Sequence, residues 1–183
     1  MKGFIRDFIR ETSTTILTAL VVFLGLQATI QVSIVLGSSM EPNFETGQWL
    51  IVNKAIYRFS DIKRGDVVIL HPPSNLETDS IKRVIALPGE TVEIKDGLVY
   101  INGELLSEPY ILDASRYTMK LLEIPHGHCF VLGDNRNSSN DSHVWGPLSL
   151  DNIEGKVWLS IWPPDDWGVA PDYFTLSGYF GIP

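Results

Sequence analysis

Two stretches of the chain hold residue types able to do nucleophilic chemistry. "LGSSMEP" (36–42) places Ser38 and Ser39 between a long uncharged run and a Glu-Pro pair. "SIKRVIA" (80–86) places Lys82 inside a β-rich run. A serine hydroxyl becomes a useful nucleophile only beside a base. His71, His126, His128 and His143 sit in no recognisable triad signature, and there is no Gly-x-Ser-x-Gly elbow. A free lysine has a pKa of about 10.4, so it is protonated at neutral pH. Desolvation disfavours the charged form and lowers that value. In a regular strand Lys82 shares a face with Ser80, Val84 and Ala86, a small and mostly apolar face that would suit a dry amine. Taken singly, both features are ordinary: such serines are usually turn residues, and many strands carry a solvent-facing lysine.

A third stretch, "LGDNRNSSNDSHVWGP" (132–147), sets Asp134, Arg136 and Asp141 among Asn and Ser residues. It reads as a solvated loop rich in turn formers, or as a buried polar network that positions a catalytic amine. A calcium loop of the EF-hand kind needs Gly at its sixth position and Glu at its twelfth. Counted from Asp134, those positions hold Ser139 and Trp145. His126 and His128 have the i, i+2 spacing that a strand could aim at one metal, but no third ligand is obvious. No metal or cofactor is therefore expected. Cys129, the single cysteine, cannot form an internal disulfide and is expected to pack in the strand "HCFVLG".

These residues must be held by a chain of 183 residues with a formal net charge of -8. No basic stripe is visible, so nucleic-acid binding is not expected. Residues 12–40 contain no Asp, Glu, Lys or Arg. Within them 14–36 is long enough to cross a bilayer as a helix, since about 20 residues span the apolar layer. Lys2, Arg6 and Arg10 precede it, offset by Asp7 and Glu11, which favours a cytoplasmic N-terminus. "FIRDFIRE" (4–11) has an amphipathic pattern suited to a membrane surface.

Beyond residue 40 the pattern is of short strands and turn signals: 48–54, 66–71, 80–86, 128–135 and 155–162. Asp96-Gly97, between β-rich runs in 91–104, predicts a tight hairpin. The polar segment 105–120 reads as a loop or an edge. The expected fold is mainly β, an antiparallel β-sheet catalytic domain with one N-terminal transmembrane helix. Its expected parts are a head and anchor (1–36), a β-rich domain (37–162) and an aromatic tail (163–183), whose Trp167, Tyr173, Phe174, Tyr179 and Phe180 could pack back or rest at a membrane interface.

"SSMEP", "RGDVVIL", "SIKRVIALPGE" and "GDNRNSSNDSHVWGP" occur in the order seen in type I signal peptidases, which the chain resembles from the anchor to about residue 160. The resemblance implies a membrane-anchored serine endopeptidase that removes signal peptides from exported preproteins with a Ser-Lys dyad. It implies Ser39 as nucleophile and Lys82 as general base. Ser139 would hydrogen-bond and orient the lysine. Asp141 would be an acid paired with Arg83 or Arg136, and Asp134 and Arg136 would be structural. The Ser39 backbone N–H would hold the oxyanion. Some members have a serine donor where this chain has Gly37; Ser38 is then the nearest hydroxyl. Asn43-Phe44 follows the proline where Thr-Leu is commoner, and His143 stands where some members have arginine. The interval between Lys82 and Gly133 leaves no room for the large second domain of some relatives. The implied partners are preprotein signal peptides and membrane lipid, with the catalytic domain on the trans side. Oligomeric state is left open. Two rival readings are an inactive membrane-anchored β-domain that binds exported proteins, and a self-cleaving repressor-like Ser-Lys peptidase.

Overall fold

The computed structural model describes residues 2–170. The part of the tail beyond residue 170, with Tyr173, Phe174, Tyr179 and Phe180, lies outside the described residues. The chain opens with helix α1 (Lys2–Thr29). Its segment Ile9–Thr29 has a mean hydropathy of 1.5 and is long and apolar enough to cross a membrane. None of that segment is buried against the rest of the protein.

The apolar run expected as one span over 14–36 divides at Thr29. Residues 30–34, "IQVSI", alternate apolar and polar with β-branched residues, which suits a pleated surface better than a helix. They form β1 (Ile30–Ile34), paired antiparallel with β2 (Trp49–Asn53). The Lys54 N–H donates to the Thr29 carbonyl at 2.8 Å, so the sheet itself satisfies one carbonyl of the last helical turn. Helix and sheet are thus joined with no linker.

The remaining strands are β3 (Val67–Leu70), β4 (Ser80–Ala86), β5 (Thr91–Lys95), β6 (Leu98–Ile101), β7 (Glu104–Leu105), β8 (Met119–Glu123), β9 (His128–Leu132), β10 (Leu148–Ser149), β11 (Ile153–Trp162) and β12 (Gly168–Val169). A short helix, α2 (Ser142–Trp145), precedes β10. The main sheet runs β1-β2-β11-β3-β4-β9-β10, with β12 on β11. A second sheet runs β7-β6-β5-β8. All pairings among the described residues are antiparallel.

The β5–β6 turn is the expected Asp96-Gly97 hairpin, with φ of 52° and 78°. Segment 105–120 ends by entering β8, a strand its polar composition did not announce. Its loop carries buried Tyr110 into the core between the two sheets, among Ile85, Val92, Phe130 and Leu132. A second core of Val35, Met40, Phe44, Leu50, Ile69 and Ile81 lies under the turn that follows β1. Met40 and Phe44 are the plugs that anchor that turn, at 0% and 2% exposure.

Where β11 crosses β2 the strands approach closely. A Cβ on Gly155 would lie 2.6 Å from the Asn53 carbonyl oxygen and 2.8 Å from Val52 Cγ1. Overpacking of this kind typically costs about 1–3 kcal/mol. Gly155→Ala is expected to lower the unfolding free energy by that amount in denaturant titration; an unchanged midpoint would contradict the packing described.

Candidate active site

Ser39 lies in the turn after β1, and Lys82 lies in the middle of β4. The sheet curls enough that β1 and the start of β4 face each other across β2, β11 and β3. Between them opens a cleft of about 550 Å³ with Ser39, Ile34, Leu36, Leu50, Ile69 and Ile81 in its wall.

Lys82 Nζ is 2.9 Å from Ser39 Oγ and donates to the Ile81 carbonyl at 2.8 Å. Every residue of β4 after Ser80 is buried, because β3 and β9 flank it and side chains cover both faces. Lys82 is 3% exposed. Burial lowers its pKa from 10.5 to about 8, against the fields of Asp141 and Asp134, which favour the charged form. An amine so placed is a base near neutral pH, and its contact is an alcohol.

The charged residues Asp134, Arg136 and Asp141 of the polar stretch 132–147 form a buried network, while Asn137, Ser138 and Asn140 face solvent. Arg83, next to the lysine in β4, donates Nε and Nη2 to the two oxygens of Asp134 at 2.8 and 2.6 Å. Both side chains are fully buried. Arg136 forms a two-bond pair with Glu108 and donates Nε to the Gly133 carbonyl. Asp141 accepts from the Gly133 N–H at 2.9 Å, and its other oxygen lies 2.7 Å from His143 Nδ1. The expected pairing of Asp141 with Arg83 or Arg136 is therefore corrected: each arginine is matched to another acid, and His143, stacked on Tyr117 at 3.9 Å, is the partner of Asp141.

Ser139 is near the site but does not make the expected bond to the lysine. Its Oγ is buried without a hydrogen-bond partner among the described residues. It packs instead against Gly133, where a Cβ would collide with Ser139 Oγ and the Ser39 carbonyl oxygen. Gly133 lets three segments meet there. Gly37 has φ of 87°, a conformation that a serine would take only under strain. The Ser38 hydroxyl faces Ser138 at 3.4 Å, and the Ser38 carbonyl accepts from Asn135 Nδ2.

Cys129 packs in β9, its thiol pushed up to about 12 by burial, which leaves no thiolate for chemistry. His126 and His128 form no metal cluster among the described residues. Ligand atoms of His71, Asp79 and Glu154 do lie within 4.8 Å of one another. Lys54 already supplies a positive charge to Glu154 at 3.0 Å. Sequence reasoning missed Glu108, Tyr110 and Asn135, and marked Asn43 only as a departure after the proline. Glu108 and Tyr110 lie in the segment read as a loop or edge, and Asn135 sits among the turn formers of 132–147.

The family model described as "Signal peptidase, peptidase S26" matches residues 7–162. A protein of Synechocystis sp. named "Probable signal peptidase I-1" is 41% identical over 170 residues, covering 88% of this chain and 87% of that one. "Signal peptidase I" of Leptolyngbya laminosa is 37% identical over 174 residues, covering 89% and 86%. A crystal structure of a signal peptidase I from Enterococcus faecalis V583 is 34% identical, with a TM-score of 0.49, covering 53% of this chain and 97% of that one.

A lysine whose pKa is lower when folded than when unfolded costs stability. The cost is full below pH about 8, shrinks as pH rises, and is gone above 10.5. The shift corresponds to about 3 kcal/mol. Lys82→Met, of similar volume and uncharged, is expected to raise the unfolding free energy at pH 7 by up to that amount and to give no gain at pH 11. A variant less stable than the parent at both pH values would count against a desolvated amine.

Proposed function

The chain belongs to the peptidase S26 signal peptidase family, and from that premise we propose that it is a membrane-anchored serine endopeptidase in which Ser39 attacks and Lys82 acts as base. Membership makes it a peptidase of signal peptides; the catalytic assignment rests chiefly on the 2.9 Å contact between a buried amine and an alcohol. A neutral amine carries two N–H bonds and one lone pair. With an N–H given to the Ile81 carbonyl, the lone pair is free to accept the Ser39 proton as the oxygen attacks the scissile carbonyl.

The Ser39 backbone N–H has no protein acceptor among the described residues. It is the proposed donor to the tetrahedral oxyanion, a role worth a few kcal/mol, about 3–4, for a well-placed donor. The charged lysine then returns its proton to the leaving amine. Water resolves the acyl-enzyme, again deprotonated by Lys82. Ser139, Asp141, Arg83, Asp134 and Arg136 shape the pocket around the amine without touching the reacting atoms.

β1 ends the main sheet and borders the cleft, so its outer edge offers unpaired backbone groups to an extended peptide. The apolar wall suits the small residues that the family resemblance implies at the substrate's -3 and -1 positions. Two features support membrane anchoring. The helix Ile9–Thr29 runs straight into β1, which holds the Ser39 turn close to the helix end. Ile34, Trp49 and Trp162 are exposed and partner one another across β1, β2 and β11, and tryptophan favours the lipid–water boundary. Lys2, Arg6 and Arg10 in the first turns of α1 favour a cytoplasmic N-terminus, with the cleft on the opposite side.

Ser39→Ala and Lys82→Ala are each expected to lower preprotein cleavage by more than about 10³-fold while the domain stays folded. The parent's kcat/KM is expected to rise with pH and level off above about 8, as the lysine loses its proton. Unimpaired cleavage by either variant, or a flat profile between pH 6 and 9, would remove this mechanism.

A further inference from the structure

Asn43 stands on the far limb of the turn that carries Ser39. Its Nδ2 donates to the Tyr110 carbonyl at 2.7 Å and to Asp134 Oδ2 at 2.8 Å. The same Asp134 carboxylate takes two hydrogen bonds from Arg83, the residue next to Lys82 in β4. The backbone N–H groups of Asn43 and Phe44 both donate to the Met40 carbonyl at 3.0 Å, so the limb holding Asn43 is bonded to the residue after Ser39. On the near limb, Asn135 donates its N–H to the Ser39 carbonyl and Nδ2 to the Ser38 carbonyl. The turn is therefore tied at both ends to the segment that neutralises Arg83.

We infer that Asn43 is a positioning residue whose side-chain amide clamps the nucleophile turn to the buried Arg83–Asp134 pair and so sets the distance between Ser39 Oγ and Lys82 Nζ. The inference rests on the Ser39–Lys82 reading above. A threonine has one hydroxyl proton and cannot donate to Tyr110 and Asp134 together. An aspartate has the shape of asparagine, but without the amide it sets a second carboxylate against Asp134. Asn43 does not line the cleft, so its loss acts on the reacting pair and not on substrate contacts. Misplacing reacting groups by about 1 Å can cost about 10²-fold in rate.

The test uses the full chain in detergent micelles with a preprotein substrate. kcat, KM and the pH profile are measured for the parent, Asn43→Ala, Asn43→Thr, Asn43→Asp and Ser39→Ala, each well below its own unfolding midpoint. Asn43→Ala and Asn43→Thr are expected to lose about 10- to 100-fold in kcat, with KM nearly unchanged and the acidic limb where the parent has it. Asn43→Asp is expected to lose kcat and also to move that limb to higher pH, because added negative charge favours the protonated lysine. A folded Asn43→Ala with the parent's kcat, a loss confined to KM, or an unmoved limb in Asn43→Asp overturns the inference. If Ser39→Ala is inactive in those cases, only the role of Asn43 falls; if Ser39→Ala cleaves, the dyad reading falls instead.

Discussion

An ammonium group that has lost its water is costly, and the contact between Lys82 and Ser39 depends on that cost. Burial in the middle of β4 pulls the amine toward its neutral form, while the fields of Asp141 and Asp134 pull it back. The balance leaves a base near neutral pH within 2.9 Å of an alcohol. Both carboxylates are held in place by hydrogen bonds. Each has its own partners: Arg83 and Asn43 for Asp134, and His143 with the Gly133 N–H for Asp141.

Such buried pairs contribute geometry more than stability, since desolvating both charges offsets most of their attraction. Their geometry is useful because the site is assembled from segments far apart in the chain. The Ser39 turn follows β1, the lysine sits in β4, and the 133–141 segment follows β9. Gly133 allows the Ser39 carbonyl and Ser139 to approach one backbone position. Arg136 and Glu108 extend the same network into the loop before β8, so the second sheet helps hold the catalytic segment.

Much of the fold was legible because local rules agreed with tertiary need. Residues 80–86 read as a strand and form one with the same limits. Asp96-Gly97 read as a hairpin because both residues tolerate positive φ, and both adopt it. The end of the helix was not legible: Thr29 is followed by more uncharged residues, and the alternation in Ile30–Ile34 is too short to stand out from the apolar run until pairing with β2 fixes it as a strand. Strand β8 was hidden because all five of its residues, MKLLE, are good helix formers and its partner β5 overrides that preference. In the site, Ser39 and Lys82 could be named from sequence motifs, but not which acid meets which base. Arg83, Arg136 and His143 are all plausible partners for Asp141 by charge, and the choice among them is made by packing. Glu108 carried no signal, since nothing local marks an acid in a polar loop as part of a buried network, and Asn43 stood out only as a departure from the resemblance that named no partner for it.

The most direct test of a desolvated amine is its own titration. With lysine labelled at the side chain, nuclear magnetic resonance can follow the Lys82 signal across pH, assigned by its loss in Lys82→Met. The structure predicts a midpoint at about 8. A midpoint at the ordinary lysine value, about 10.4, would mean that the amine is hydrated and charged at neutral pH, and the account given for the site would be wrong.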